Sequence, residues 1–395
     1  MSKGKIWPVE WKETKDPVSG ITVKQLTSYR AHSHHLYFTN PGWYDGGRRM
    51  LFSSDRENTT NLYSIDLESG YILQLTDYAP QRPPYETELG GTSINPTCPE
   101  AYYWYGRDLM AIDLHSLAER VLWTIPSGFS RSMLNCTADG KSVCVGIHED
   151  LSDRIRIDLH RGYVGFREIF EAHPLSRIYK LDTGGMGTEI AWEERSWVGH
   201  VNTSSTQPHL LTFCHEGPWQ LVDNRIWCLD LNTGQANMIR PRREQESVGH
   251  EYWHADGIYI GYHGFWADGR KFFGKIRYDN QSGIEVDFPH ETGHIHSNDF
   301  NLIVGDSSRE GKTVRLWKWN GVNFDGPHVL CEHRSSFHIQ EVHVHPRFDP
   351  GGRYVVYTSD VSGYGNVYLA EVPDFDALPP LAQDPNPTKV HDGTQ

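Results

Sequence analysis

A short unit recurs along the chain, and no other feature of the sequence narrows the possible folds as far. Its clearest copy runs from Thr39 to Asp55 with an Asp45-Gly46 turn, then Asn61-Leu-Tyr-Ser-Ile-Asp-Leu67 closed by Ser69-Gly70, then Leu73-Gln-Leu-Thr76. Short alternating apolar segments separated by Asp-Gly and Ser-Gly pairs read as strands joined by tight turns. Related pieces follow at Trp104–Leu114, Ala138–Gly146, Ile226–Gly234, His254–Gly261, Val314–Gly321 and Phe348–Asp360. Units start near residues 39, 95, 135, 204, 254, 297 and 343, roughly 51 residues apart, which is the period of propeller blades. A four-stranded sheet of this kind cannot bury its faces alone, whereas seven packed radially cover one another. The expectation is an all-β chain forming one seven-bladed β-propeller domain over residues 1–395. A pair of β-sandwiches would not repeat this order of turn and strand. Helical periodicity is confined to the stretch around Gly165–His173.

Charge then removes one class of partner. The 395 residues carry 51 acidic and 37 basic side chains, a formal charge of −14, with no run of Lys and Arg, so a phosphate backbone finds no basic surface and nucleic acid is not expected. No stretch approaches the roughly 18 apolar residues that cross a bilayer, and the N-terminal segment lacks the apolar core of a secretory signal. A cytoplasmic protein without a membrane partner is expected. Cys98, Cys136, Cys144, Cys214, Cys228 and Cys331 form no CxxC pair and read as buried reduced thiols, not as a zinc or disulfide framework. Histidine is the exception to an ordinary composition: 22 residues is well over twice a usual share of roughly 2%, so imidazole chemistry is worth seeking.

The histidines gather just ahead of the innermost strand of each blade, where entry loops of a propeller converge on one mouth of the central channel. His32, His34 and His35 precede the first blade, His200 the fourth, His250 the fifth, His290, His294 and His296 the sixth, and His338, His343 and His345 the last. In an extended segment, His343 and His345 would point to one side, a spacing that suits two ligands on one ion. Gln340 offers an oxygen from the same loop and His294 a third imidazole from the neighbouring blade. Such a set suits Mn, Fe, Ni or Zn. An isolated HxH is more often two half-exposed strand residues, and His294-Ile-His296 in the adjacent loop strengthens the metal reading. Arg225 stands after His215-Glu-Gly-Pro218, between two histidine-bearing loops; a blade-bridging role is its plainer reading. Neither GxSxG nor HExxH occurs, which removes the serine-hydrolase and zincin patterns.

Together, Asp16-Pro-Val-Ser-Gly20, Gln25-Leu-Thr27, His215-Glu-Gly-Pro218, Arg225, Gly249-His-Glu-Tyr-Trp253, His294 with Ser297-Asn298, Gln340-Glu-Val-His-Val-His-Pro346 and Thr358-Ser-Asp360 resemble the oligogalacturonate lyases, in order from about residue 10 to 375. The resemblance implies a cytoplasmic seven-bladed propeller that degrades short pectic fragments with a divalent ion, typically manganese. It implies His294, Gln340, His343 and His345 as metal ligands, His250 as the Brønsted base, and Arg225 beside it; His200, on a neighbouring entry loop, is the alternative base. His34, His35, His200 and His215 are read as substrate contacts. The chain departs from the family's H-R-x-Y-F pattern, having His34-His35-Leu36-Tyr37-Phe38, and diverges again over Val201–His209; both departures bear on substrate identity.

β-Elimination from a 4-linked uronate begins with loss of H5, alpha to the C6 carboxylate, a proton too weakly acidic for imidazole in water. A cation and an Arg on that carboxylate accept the developing charge, contributing several kcal/mol in preorganised sites, and a neutral His then serves as base. The charge of −14 opposes an anionic oligosaccharide at long range, so the local cations must dominate at the mouth. Three other readings remain open: a lyase for another uronate, a metal-dependent hydrolase, and a non-catalytic scaffold.

Overall fold

The repeated Ile-Asp-Leu signature has a local cause. In the hairpin after Ile65, the Asp66 carboxylate accepts the backbone N–H groups of Glu68 and Ser69, and Asp113 does the same for His115 and Ser116. Each aspartate closes a turn that the backbone alone leaves unsatisfied. The Asp-Gly turns work similarly: Asp256 caps Ile258 and Tyr259, while Gly257 takes a left-handed φ of 63° and packs against Ser204 and Thr206, where a Cβ would clash.

The computed structural model describes residues 2–79, 87–160, 162–288, 292–307 and 311–381. These strands assemble into seven antiparallel sheets. In chain order the innermost strands are Ser33–His35, Ser93–Ile94, Phe129–Cys136, Val198–Thr203, Ser247–Trp253, Ile295–His296 and Arg347–Phe348. Burial runs with that order: Val198–Thr203 is buried at every residue, whereas the fourth strand of the third sheet, Thr188–Arg195, is largely exposed. Adjacent sheets share apolar layers, including Leu134 and Val145 against Tyr102 and Leu109 between the second and third, and Ile260 and Phe272 against Leu210 and Ile226 between the fourth and fifth. Burying one such side chain contributes about 1.5–3 kcal/mol. Layers of this kind also join the sixth to the seventh and the seventh to the first, so the ring of a seven-bladed β-propeller is closed.

Closure uses both ends of the sequence. Thr22–Gln25 pairs with Asn366–Glu371, and Lys12–Lys15 pairs outside it, completing the seventh sheet. Ile6–Trp7 then edges the first sheet against Ile72–Gln74. These N-terminal strands lie ahead of the first unit read from the repeat.

The third, fourth and fifth innermost strands open at Phe129, Val198 and Ser247, ahead of the turn-based positions near 135, 204 and 254. Each carries a register shift near its start, at Arg131/Leu134, Gly199/Asn202 and Val248/Glu251. The helix Phe166–Ala172 lies within the stretch expected to be helical and is bounded by left-handed Gly165 and His173. Five of the six cysteines are buried; Cys98 is exposed, against expectation, in the turn before Glu100–Tyr105. Among the described residues, no helix is long and apolar enough to cross a membrane.

Candidate active site

The two bulges at Gly199/Asn202 and Val248/Glu251 carry the site's central pair, since a bulge kinks a strand and re-aims its side chains. One contains His200, at a left-handed φ of 47°, and the other His250. The two rings stack with centroids 5.9 Å apart. His250 Nδ1 lies 2.9 Å from the Gly293 carbonyl and therefore donates its proton there, which leaves the Nε2 lone pair open. Burial, then the neighbouring His294, His263 and His200, hold its pKa well below the usual imidazole value, so the ring is neutral at pH 7. Glu251, next to His250 in the sequence, is engaged with other groups. Its two oxygens bind His200 Nδ1 at 2.7 Å and Arg225 Nε at 3.2 Å.

Arg225 is buried between two carboxylates, with Nη1 also donating to Glu216 at 2.7 Å. Its Nη2 has a 3.5 Å approach to His200 Nδ1. The planar fork expected to grip a substrate carboxylate is thus largely used within the protein, and Nη2 is its remaining edge.

His294, His343 and His345 converge, with one nitrogen of each lying within 4.8 Å of the others. The His294 and His345 ring centroids are 4.1 Å apart. Asp306 organises the first of these rings: Oδ2 accepts His294 Nδ1–H at 2.6 Å, while Oδ1 accepts the backbone N–H groups of Gly293 and His294. This arrangement turns His294 Nε2 toward the cluster, as second-shell carboxylates do for metal-bound imidazoles. Burial would raise the Asp306 carboxyl, but the His294 ring outweighs that and holds it low.

His345 is pushed well below the usual imidazole range by burial and then by His294 and His343. Its Nε2 is buried without a hydrogen-bond partner, a cost of about 1–3 kcal/mol unless something meets it. Three imidazoles converging around such an orphaned nitrogen fit a divalent cation. Gln340 opens the same turn, its carbonyl accepting the His343 N–H at 3.1 Å and its side-chain oxygen accepting the Tyr163 hydroxyl at 3.0 Å. Gln340–Val342 is a 3-10 turn that ends at an extended His343, and His345 has a left-handed φ of 45°. From this backbone the His343 and His345 rings meet with centroids 5.8 Å apart.

Two of the four histidines read as substrate contacts are committed elsewhere. His35 Nε2 lies 2.8 Å from the His345 carbonyl and Nδ1 lies 2.7 Å from Thr358 Oγ1, so His35 supports the left-handed His345. His215 spans Asp223 at 2.7 Å and Glu194 at 3.0 Å. Burial lowers its pKa, but these carboxylates outweigh burial and raise it to about 9. Neither ring has a nitrogen left for a ligand. His34 is buried and stacks on His32 at 6.3 Å, whereas His200 reaches the Tyr37 hydroxyl at 3.3 Å. His290 lies outside the described residues.

Sequence reasoning passed over Glu216, Asp306, Tyr37, His263 and Trp219. His263 stacks on His250 at 5.7 Å, and Trp219 meets the same ring edge-on at 5.6 Å. Of these, Glu216 and Tyr37 carried a signal, standing inside the His215-Glu-Gly-Pro218 and His34-His35-Leu36-Tyr37-Phe38 segments.

Comparison with known proteins is consistent along the chain. A family model described as oligogalacturonate lyase matches residues 1–376. The oligogalacturonide lyase of Pectobacterium atrosepticum is 27% identical over 405 residues, covering 95% of this chain and 99% of the relative. The oligogalacturonate lyase of Dickeya dadantii is 26% identical, with the same coverage of 95% and 99%. A solved structure of oligogalacturonate lyase in complex with manganese superposes with a TM-score of 0.84 at 24% identity, over 95% of this chain and 99% of that one.

Proposed function

The chain belongs to the oligogalacturonate lyase family, and from that premise we propose that it cleaves short oligogalacturonides by β-elimination, leaving a 4,5-unsaturated uronate. The observation that carries this reading is His250: its Nδ1–H is tied to the Gly293 carbonyl and its ring centroid lies 4.7 Å from that of His294, beside the cation-suited cluster. A base with one open nitrogen next to a charge-accepting centre is what removal of H5 requires.

His294, Gln340, His343 and His345 would hold the divalent ion, with manganese the first choice because a structurally similar lyase was solved with it. When bound there, the ion supplies positive charge against the charge that builds on the C6 carboxylate. His250 Nε2 accepts H5. Arg225 presents Nη2 to the same carboxylate, while Glu216 and Glu251 hold the guanidinium in place. Phe38 and Trp219, edge-on to His250 at 5.7 and 5.6 Å, exclude water from the base.

Residues 1–395 act as one domain in this reading. Free buried thiols at Cys136, Cys144, Cys214, Cys228 and Cys331 suit the reducing cytoplasm, and a charge of −14 leaves small anionic oligosaccharides, not nucleic acid or membrane, as the partner. The test is to incubate the purified protein with saturated and unsaturated digalacturonate, with and without Mn²⁺, while following near-ultraviolet absorbance of new C4=C5 bonds. Reducing ends appearing without that absorbance would mean hydrolysis and would overturn the proposal. No turnover of either substrate with metal bound would overturn it as well.

A further inference from the structure

Two residues past His294 and His345, the chain enters the innermost strands Ile295–His296 and Arg347–Phe348, which lead away from the mouth along the channel. The elimination uses neither His296 nor Arg347. Phe38 floors the level above them: it is fully buried, and its ring lies 5.7 Å from those of His250 and His294 and 6.2 Å from that of His345.

Arg347 is a cation without an acid. Its Nη1 donates to the Phe38 carbonyl, and its Nε is buried without a partner. The ionisable groups that feel its charge are His35, Tyr252 and His296, none of them a carboxylate. Other buried guanidiniums are matched: Arg56 meets Glu10, Arg225 meets Glu216 and Glu251, and Arg240 meets Glu246 and Glu285. A guanidinium does not give up its proton in a protein, and a buried charge without a counter-charge is costly.

His296 supplies a second donor beside it. The Phe348 N–H donates to His296 Nδ1 at 3.3 Å, so the ring's own hydrogen sits on Nε2, which has no hydrogen-bond partner among the described residues. Tyr252 stacks on the same ring at 5.3 Å, while its hydroxyl is engaged with Ser297 at 2.6 Å. The group therefore offers donors and one positive charge. Such a set repels a metal ion, and water meets the donors but leaves the charge unbalanced.

We propose that Arg347 and His296 bind a small monovalent inorganic anion of the chloride class beneath Phe38. The anion neutralises Arg347 and links the innermost strands of the sixth and seventh sheets, so it stabilises the fold without entering the reaction. Phe38 keeps the sugar carboxylates on the level above, which leaves a free ion as the occupant.

The probe is bromide, which scatters anomalously. Crystals of manganese-loaded protein grown from gluconate and soaked in bromide should show an anomalous peak against the Arg347 guanidinium and His296 Nε2. In solution, at constant ionic strength set with gluconate, bromide should raise the wild-type melting temperature saturably, by about 3 °C once it reaches a hundred times its Kd. Arg347→Met fills similar space without charge and should lose that shift. If this variant does not fold, the peak and the saturable shift of wild type decide the matter. No peak at Arg347, or an equal shift in Arg347→Met, would overturn the proposal. A peak without a saturable shift would mark an adventitious ion only and overturn it too. A peak that disappears when galacturonate is added would give the position to a sugar carboxylate instead of a free anion. Failure of the protein to form unsaturated product leaves this site untouched, because no step of the elimination uses Arg347.

Discussion

Asp306→Asn isolates the part of the cation site that the protein builds for itself. In the wild-type chain, Oδ2 accepts His294 Nδ1–H at 2.6 Å, and Oδ1 accepts two backbone N–H groups at 3.0 and 2.9 Å. Asparagine preserves the second function, since its carbonyl oxygen can remain at the backbone. The amide NH₂ then faces His294 Nδ1. Two donors cannot share that contact, so the imidazole must move its proton to Nε2, the nitrogen that points into the cluster. One of three imidazole ligands is lost in its favourable tautomer without any change in side-chain volume. Loss of such an outer-shell carboxylate typically costs 10–100-fold in metal affinity, or about 1.4–2.7 kcal/mol. The assay is Mn²⁺ titration by calorimetry or chelator competition, alongside the melting temperature of metal-free protein. The expected result is a 10–100-fold weaker Kd. An affinity within about threefold of wild type, in a protein whose melting is unchanged, would refute the argument that Asp306 sets the His294 tautomer.

Other variants test the remaining parts of the site. His250→Ala should keep its metal and fold while elimination falls by at least about 10²–10⁴-fold, measured as initial rate with metal analysis on the same preparation; substantial activity would move the base elsewhere. Arg225→Lys retains one charge but cannot bridge Glu216 and Glu251 together, so both activity and melting temperature should drop, and wild-type values for both would contradict the buried bridge. His215 predicts a pH dependence of stability. Its folded pKa of about 9 lies above the unfolded value near 6.5, so its contribution is complete below about pH 6.5 and is lost as pH rises through about 9. His215→Gln should flatten that part of a melting-temperature profile, and an unaltered slope would dismiss the Asp223 and Glu194 pairing.

The repeat made the propeller readable because its turns rest on local chemistry: Asp66 and Asp113 cap their own hairpins, and that interaction is written within four residues. The loops bearing His294, His343 and His345 were likewise visible, since a blade entry always opens on the channel mouth. What stayed hidden depends on contacts between strands and between sheets. Asp306 meets His294 across neighbouring strands of the sixth sheet, and Glu251, on the fifth sheet, serves His200 and Arg225 of the fourth instead of its neighbour His250. His35 looked like a mouth residue, but its ring faces the His345 carbonyl, a direction set by packing of the first sheet against the seventh. The strand Lys12–Lys15 has no apolar alternation to announce it, every residue being exposed.

That strand and its partner Thr22–Gln25 have a consequence for biosynthesis. They join Asn366–Glu371 in a single sheet, so the segment made early on the ribosome has no place until nearly everything else has emerged. At translation rates of roughly 5–20 residues per second, the wait is on the order of 20–70 s. Six sheets can form as they appear, but the circle stays open through that interval, with the apolar flank of the first sheet uncovered. The early segment is suited to waiting. Lys-Glu-Thr-Lys is a strand that other edges will not readily capture, because its charges resist pairing. A circular permutant that places Lys12–Gln25 after Glu371 would close the ring by a hairpin at the end of synthesis, and it should yield more soluble protein under fast expression without altering the finished channel.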